Sequence, residues 1–438
     1  MGSPLPFLPL EQLLPHRSSA DWTHIFLTND SFKKDCARLY TYLTTIKPSR
    51  IILRQSDRAA FLASLLVAFH TGTPAVLPHL QAPGALEELI QPGDLVIDDT
   101  FRIPDTYGEA DLNHFSEPET TTLCLYTSGS TGSPKAISKT LRQLNAEIMT
   151  LNQMWGQTSC PAVWSTVPHH HIYGLLFSLL WPACAGYKII PQTIQFWEEI
   201  ANKASDKDFL IASPAHLSRM AAIESGPRVR IFSSGAPLTF DHAQNCQTIL
   251  GSLPYEILGS TETGGIAYRQ QENANQPWTP FSDITIKSNK NQNLILKSPY
   301  LANDQFYQTE DRIELLETGQ FRLLERADRI VKIEGKRVSL TDIEKRLTNL
   351  ELIDRAVACA LSYKRNETAI VAVLSELGKT TYTTLGKAKF IRHLRTELSH
   401  YLDRVGVPRR WRFVDEIPTD SRGKTPAYLI ASLFVRED

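Results

Sequence analysis

The chain has 438 residues, with 46 Lys and Arg against 47 Asp and Glu, a formal net charge of −1, and 42% hydrophobic and 21% charged residues. No surplus of cations is available to neutralise phosphates, which excludes bulk electrostatic binding to nucleic acid, and the apolar content excludes a disordered chain. At roughly 150 residues per domain the length predicts two or three folded domains in a soluble protein.

The opening MGSPLPFLPLEQLLPHR lacks a cationic start, and prolines break its apolar run, so it does not read as a signal peptide. No uninterrupted apolar stretch reaches the ~18–20 residues needed to span a bilayer. Cys36, Cys124, Cys160, Cys184, Cys246 and Cys359 are widely spaced without a Cys-x-x-Cys, which argues against a zinc site or redox pair. A reducing cytoplasm is the expected compartment. Strands are predicted at 49–53 and 93–98, with a helix over 58–69 between them. The strand 123–126 runs into a loop of Ser, Thr, Gly and Pro, followed by a helix with Leu141, Leu144, Ile148 and Leu151 on one face. Further strands are expected at 210–212 and 229–232, and this alternation predicts α/β layering. After residue 285 alternating polar and apolar residues predict antiparallel hairpins with Asn291 and Gly319 near the turns. The last 111 residues, from Asp328, read as β-α-β-α-β. Strands are expected near 355–361 and 368–374, with a helix carrying Phe390, Ile391, Leu394, Leu398 and Leu402.

The most informative segment is Tyr126-Thr127-Ser128-Gly129-Ser130-Thr131-Gly132-Ser133-Pro134-Lys135. Its glycines let backbone N–H groups turn inward around a polyanion, its hydroxyls donate further hydrogen bonds, and its lysine adds a point charge. It is not the G-x-x-x-x-G-K-[ST] loop, because Lys135 follows Pro134 and lies only three residues after Gly132. A flexible surface turn is the alternative, although such linkers do not normally end a strand in Gly-Ser-Pro-Lys. Three consecutive histidines, His169-His170-His171, precede Ile172-Tyr173-Gly174. On a strand their side chains alternate between faces, which argues against one shared metal ion.

YTSGSTGSPK resembles the phosphate loop of the adenylate-forming acyl-activating enzymes, a superfamily of acyl- and aryl-CoA synthetases, adenylation domains and luciferases. The rest of that family's motif series follows in order from about residue 120 onward. Thr127, Ser128, Gly129, Ser130, Thr131, Gly132 and Lys135 would hold ATP phosphates. His171, Tyr173 and Gly174, with Ser234 and Gly259, would line the acid pocket. Ser234, Gly235, Ala236 and Pro237 resemble the adenine turn. Leu258-Gly259-Ser260-Thr261-Glu262 resembles the segment in which Thr261 meets the α-phosphate and Glu262 helps hold Mg²⁺. Leu258 replaces the usual tyrosine. Asp311 would bind ribose, in a segment where Glu310 replaces glycine. Arg326 would lie near ribose or phosphate, Asp328 would be the hinge, Gly335 would line the thiol tunnel, and Lys424 would be the catalytic lysine. Glu325 stands where the family has glycine.

The resemblance implies an α/β fold with a large amino-terminal AMP-binding domain, 1–327. That domain would combine layered sheets and helices with a β-barrel-like subdomain. A small mobile α+β lid, 328–438, would follow. It further implies ATP and Mg²⁺, a small carboxylic acid, and acyl carrier protein or coenzyme A as acceptor, with no nucleic-acid partner and no membrane span. The stretches around Lys139-Thr140 and His171–Phe177 are similar to compact ligases of aryl polyene and xanthomonadin pathways, implying an aromatic acid such as a hydroxybenzoate. A medium-chain fatty acyl-CoA ligase and a catalytically inactive nucleotide-binding relative are the alternatives. The departures at Leu258, Glu310 and Glu325 support the latter.

Overall fold

A computed structural model describes residues 5–26, 31–78, 83–112, 122–128, 134–218, 220, 226–324, 330–362, 366–418 and 427–434. The chain divides into two compact units. One comprises Met1–Pro78, Gln91–Tyr126 and Ala136–Ala327, and the other His79–Ile90, Thr127–Lys135 and Asp328–Asp438.

In the first unit the helix Arg58–Thr71 is fixed at both ends. The Asp57 side chain accepts from the Ala60 amide, and Gly72 caps the carboxyl end at φ +67°. This helix belongs with a five-stranded sheet ordered Asp94–Ile97, Arg50–Leu53, Ala75–Leu77, Thr122–Ser128, Pro134–Thr140. The first four of these strands pair in parallel. The second sheet has seven strands, in the order Thr279–Pro280, Gly264–Arg269, Tyr255–Ser260, Arg230–Ser234, Phe209–Ala212, Ala162–Ser165, Lys188–Ile189. Its last five strands run parallel and its first two are antiparallel additions. The helix Leu141–Trp155 begins with a reciprocal Thr140–Gln143 capping box, and its buried face carries Leu141, Leu144, Ile148 and Leu151 as the helical spacing predicts. The expected barrel-like part is a four-stranded antiparallel meander, Thr285–Ser288, Asn293–Lys297, Tyr307–Leu315 and Phe321–Leu323.

In the second unit the strands Ile353–Ser362 and Asn366–Leu374 form an antiparallel hairpin, and Arg410–Phe413 joins Asn366–Leu374 in parallel. The helix Lys387–Ser399 buries Phe390, Leu394 and Leu398. The sequence reading missed a hairpin, Ile330–Ile333 with Lys336–Ser339. Its two connecting residues, Glu334 and Gly335, have φ of +50° and +83°, the left-handed pair that a tight hairpin requires. Among the described residues, no helix is long and apolar enough to cross a membrane.

Candidate active site

The strands Ala162–Ser165, Phe209–Ala212, Arg230–Ser234 and Tyr255–Ser260 are parallel neighbours. Their ends are nearly level: Ser165 pairs with Ile211, Ala212 with Ser233, and Ile257 with Ser234. Their carboxyl ends therefore release the segments 166–171, 213–216, 235–238 and 261–263 along one edge of the first unit. The crevice outside the carboxyl ends of such strands is where parallel α/β sheets bind ligands.

The histidine segment is a turn, not the expected strand, and it enters a helical stretch beginning at Ile172. His169 is buried, its ring stacks on His170 at 4.2 Å, and its Nε2 meets the Gln55 carbonyl at 3.0 Å. Burial, with His170 and Arg58 nearby, pushes its pKa down to about 3. His171 is exposed. Tyr173 donates to the Ala212 carbonyl at 3.2 Å, and burial raises its pKa. Gly174 serves packing: a Cβ there would lie 2.1 Å from the Pro168 carbonyl oxygen, so only glycine lets the helix start against that turn. The helix widens to π geometry over Leu176–Leu180 just before Pro182, whose missing N–H removes an ordinary helical bond.

The next segment holds the residues expected at adenine. Ser234 Oγ donates to the Ile257 carbonyl at 2.8 Å, Gly235 has φ +102°, and Pro237 is exposed. The segment is pinned at Leu238, whose amide donates to the Glu256 carboxylate at 3.3 Å and whose carbonyl accepts from Gln271 at 2.9 Å. Buried Glu256 is held in turn by a two-pronged contact with Arg269, at 2.9 and 3.1 Å.

Thr261 and Glu262 are half-buried on the turn between Tyr255–Ser260 and Gly264–Arg269. Ser260 and Thr263 close it reciprocally: the Ser260 amide reaches Thr263 Oγ1 at 3.1 Å, and the Thr263 amide reaches Ser260 Oγ at 3.2 Å. Two buried charges grip it, Lys139 from the strand Pro134–Thr140 and Glu147 from the helix Leu141–Trp155. Lys139 donates to the Glu262 and Tyr300 carbonyls at 2.9 and 2.8 Å, and Glu147 accepts from the Gly265 amide at 2.7 Å. Gln143 donates to the same Tyr300 carbonyl at 2.9 Å. Burial lowers the Lys139 pKa and raises that of Glu147, and the attraction between the two opposes both shifts. Leu258 is half-buried and packs on the main core, an apolar contact in the tyrosine's place. A register shift separates it from Gly259.

Thr127 and Ser128 end the strand Thr122–Ser128, and Lys135 is exposed on Pro134–Thr140. Asp311 is half-buried within the extended strand Tyr307–Leu315, and its amide donates to Thr309 Oγ1 at 3.1 Å. Exposed Glu310 fits this strand without a special turn. Gly129, Ser130, Thr131, Gly132, Arg326, Asp328 and Lys424 lie outside the described residues. Lys139, Glu147, Glu256 and Gln271 were not foreseen, because their partners are distant in sequence. His216 was missed too: its Nδ1 lies 2.9 Å from Thr166 Oγ1 and 3.0 Å from Ser213 Oγ on the same sheet edge. Its local signal was Ser-Pro-x-His directly after a strand.

Residues 40–292 match the AMP-binding enzyme family, so the chain belongs to that family. The match begins far ahead of residue 120, where the motif series began. A 4-coumarate–CoA ligase of Rhodobacter capsulatus is 27% identical over 395 residues, spanning 85% of this chain and 97% of that one. Among solved structures, the amide bond synthetase of Marinactinospora thermotolerans superimposes with a TM-score of 0.79 at 16% identity, over 98% of this chain and 100% of that one. The o-succinylbenzoate CoA synthetase of Bacillus subtilis does so with a TM-score of 0.78 at 16% identity, over 92% of each.

Among the described residues no group of three or more His, Cys, Asp or Glu is placed to hold a metal ion. Mg²⁺ bridging nucleotide phosphates needs only one or two protein carboxylates, since phosphates and water complete its shell. Glu262, a hard oxygen donor on the sheet edge, fits an ion that arrives with the nucleotide.

Proposed function

We propose that this AMP-forming acid–thiol ligase activates an aromatic carboxylic acid, such as a hydroxybenzoate or hydroxycinnamate, and transfers it to a thiol. The observation that supports the reading is the level carboxyl ends of four parallel strands, from which the segments that resemble the family's nucleotide and acid motifs emerge, in a chain matched over 40–292. The aromatic preference is supported by relatives named for 4-coumarate and o-succinylbenzoate. Coenzyme A is the acceptor those names favour, and an acyl carrier protein is the competing acceptor.

In the first step a carboxylate oxygen attacks the α-phosphorus of ATP and pyrophosphate leaves. In the second, a thiol sulfur attacks the acyl carbon, AMP leaves, and the thiol proton is lost. Both reactants in the first step are anions, so the protein's work is positioning and charge neutralisation. Thr261 would donate to an α-phosphate oxygen. Glu262 would hold Mg²⁺, which offsets charge on the phosphates when bound. Gly235–Pro237 would frame the base, and Asp311 would accept from the ribose hydroxyls. Lys424, protonated at neutral pH, would bridge the incoming carboxylate and the phosphate. Lys424 and Gly335 both fall in the second unit, so we propose that rotation about Asp328 presents Lys424 for adenylation and the Gly335 hairpin for thiol attack.

The test is acid-dependent ATP–pyrophosphate exchange across aromatic and medium-chain aliphatic acids, followed by thioester formation with coenzyme A and then carrier protein. Aromatic acids are expected to support exchange. Preference for aliphatic acids would reassign the substrate, and exchange with none would mark an inactive nucleotide-binding relative. Lys424→Ala should slow exchange about 10²–10³-fold, while thioester formation from supplied acyl-adenylate survives. Wild-type exchange in that variant would remove Lys424 from the reaction.

A further inference from the structure

We infer that Lys139 and Glu147 are positioning residues for acid activation: two buried charges hold the middle of the turn 261–263 and the strand just after it, and so fix Thr261 and Glu262 at the sheet edge. The inference rests on the functional reading given above for Thr261 and Glu262.

Three observations carry it. First, the bonds fall on the turn and just beyond it: the Lys139 ammonium holds the Glu262 carbonyl, in the middle of the turn, at 2.9 Å, and the Glu147 carboxylate takes the amide of Gly265, in the strand that follows, at 2.7 Å. Second, both charged side chains are almost wholly inside, at 2% and 3% exposure. Two charges buried this deeply bring little net stability, because the cost of desolvating each offsets the attraction between them. Ser260 and Thr263 already close the turn without help from the helix. What the pair adds is direction: a lysine nitrogen anchored by the Tyr300 carbonyl at 2.8 Å aims at one carbonyl of the turn. Third, the turn is shaped to admit the carboxylate. A Cβ on Gly264, at φ +69°, would sit 2.5 Å from Glu147 Oε2, so this position reads as clearance for Glu147.

The full-length enzyme is tested as Lys139→Met, Glu147→Gln and the double variant. Removing the ammonium alone strands a buried carboxylate, so the single lysine variant should lose stability. Neutralising both should restore the denaturant midpoint. In the double variant kcat for acid-dependent pyrophosphate exchange should remain about 10- to 100-fold below wild type, with the KM for ATP unchanged. Thioester formation from synthetic acyl-adenylate should run at the wild-type rate. The amides of Thr263, Gly264 and Gly265 should exchange hydrogen about tenfold faster.

A double variant with wild-type stability and wild-type kcat overturns the inference, as does an equal loss in both half-reactions. If the double variant fails to fold, Glu147→Gln, which keeps an acceptor for the Gly265 amide, decides through the same kcat and hydrogen-exchange measurements. Were the wild-type enzyme to show no acid-dependent exchange, the functional reading would fall, and hydrogen exchange alone would still decide whether the charges clamp the turn.

Discussion

His169 shows what one buried ring does to the stability of the first unit. Its pKa in the fold is about 3, against an ordinary value near 6.5, because burial disfavours the imidazolium and His170 and Arg58 add repulsion. The unfolded chain therefore binds a proton that the fold rejects once the pH drops below about 6.5. Stability is fully present above that value and is lost as the pH falls toward about 3. Over the two units from about pH 6.5 to 4.5 the loss amounts to roughly 2 kcal/mol. His170 is shifted in the same direction and steepens the decline. His169→Gln keeps a donor for the Gln55 carbonyl while removing the titration. Its denaturant midpoint should fall less between those pH values than that of the wild-type protein; parallel curves would place the proton elsewhere.

At the scale of elements, the turn 260–264 separates two demands on glycine. Gly264 and Gly319 both have positive φ, +69° and +80°. A Cβ at Gly319 would meet nothing within 4 Å, whereas one at Gly264 would strike the Glu147 carboxylate at 2.5 Å. Alanine at Gly319 should cost about 1–2 kcal/mol from backbone conformation. Alanine at Gly264 should add a further 1–3 kcal/mol, roughly the usual penalty of overpacking. Equal losses in denaturant titrations of the two variants would show that Glu147 can withdraw. The sequence readings behave unevenly across such elements. The helix Leu141–Trp155 was legible because its apolar period is local. The Ser233–Leu238 and Leu258–Glu262 segments stand out because residue types recur in order, and both leave the same sheet at the carboxyl ends of neighbouring parallel strands. What lay hidden was whatever depended on distant partners, since Lys139 and the carbonyl it holds are 123 residues apart, and Glu147 and its amide 118. The hairpin Ile330–Ile333/Lys336–Ser339 was hidden for another reason: Glu-Gly is a weaker turn signal than Asn-Gly. The histidine turn was misread as a strand because a short polar run between apolar residues carries no period.

At the scale of the molecule, charge is unevenly spent. The chain is nearly neutral, yet its residues 387–410 hold seven Lys and Arg against two Asp and Glu. This stretch lies wholly in the second unit, where Asp403 is paired with Lys336 at 2.6 Å and Arg410 with Glu367 at 2.6 Å. Arg392, Arg395 and Arg404 are exposed and rim a groove of about 570 Å³ floored by Ile391, Leu402 and Val407. A cationic rim raises the local concentration of anions and speeds their encounter, with an effect that salt screens. Both candidate acceptors, coenzyme A and an acidic carrier protein, are anionic, whereas the pyrophosphate-exchange step requires neither. Reversing the rim with Arg392→Glu, Arg395→Glu and Arg404→Glu should therefore raise the KM for the thiol acceptor about tenfold at low salt, and less at high salt. Acid-dependent pyrophosphate exchange should be untouched. A larger change with carrier protein than with coenzyme A would favour the protein acceptor, since a broad acidic surface engages all three positions together. An acceptor KM that ignores both the charge reversal and the salt would show that the groove plays no part in thiol delivery.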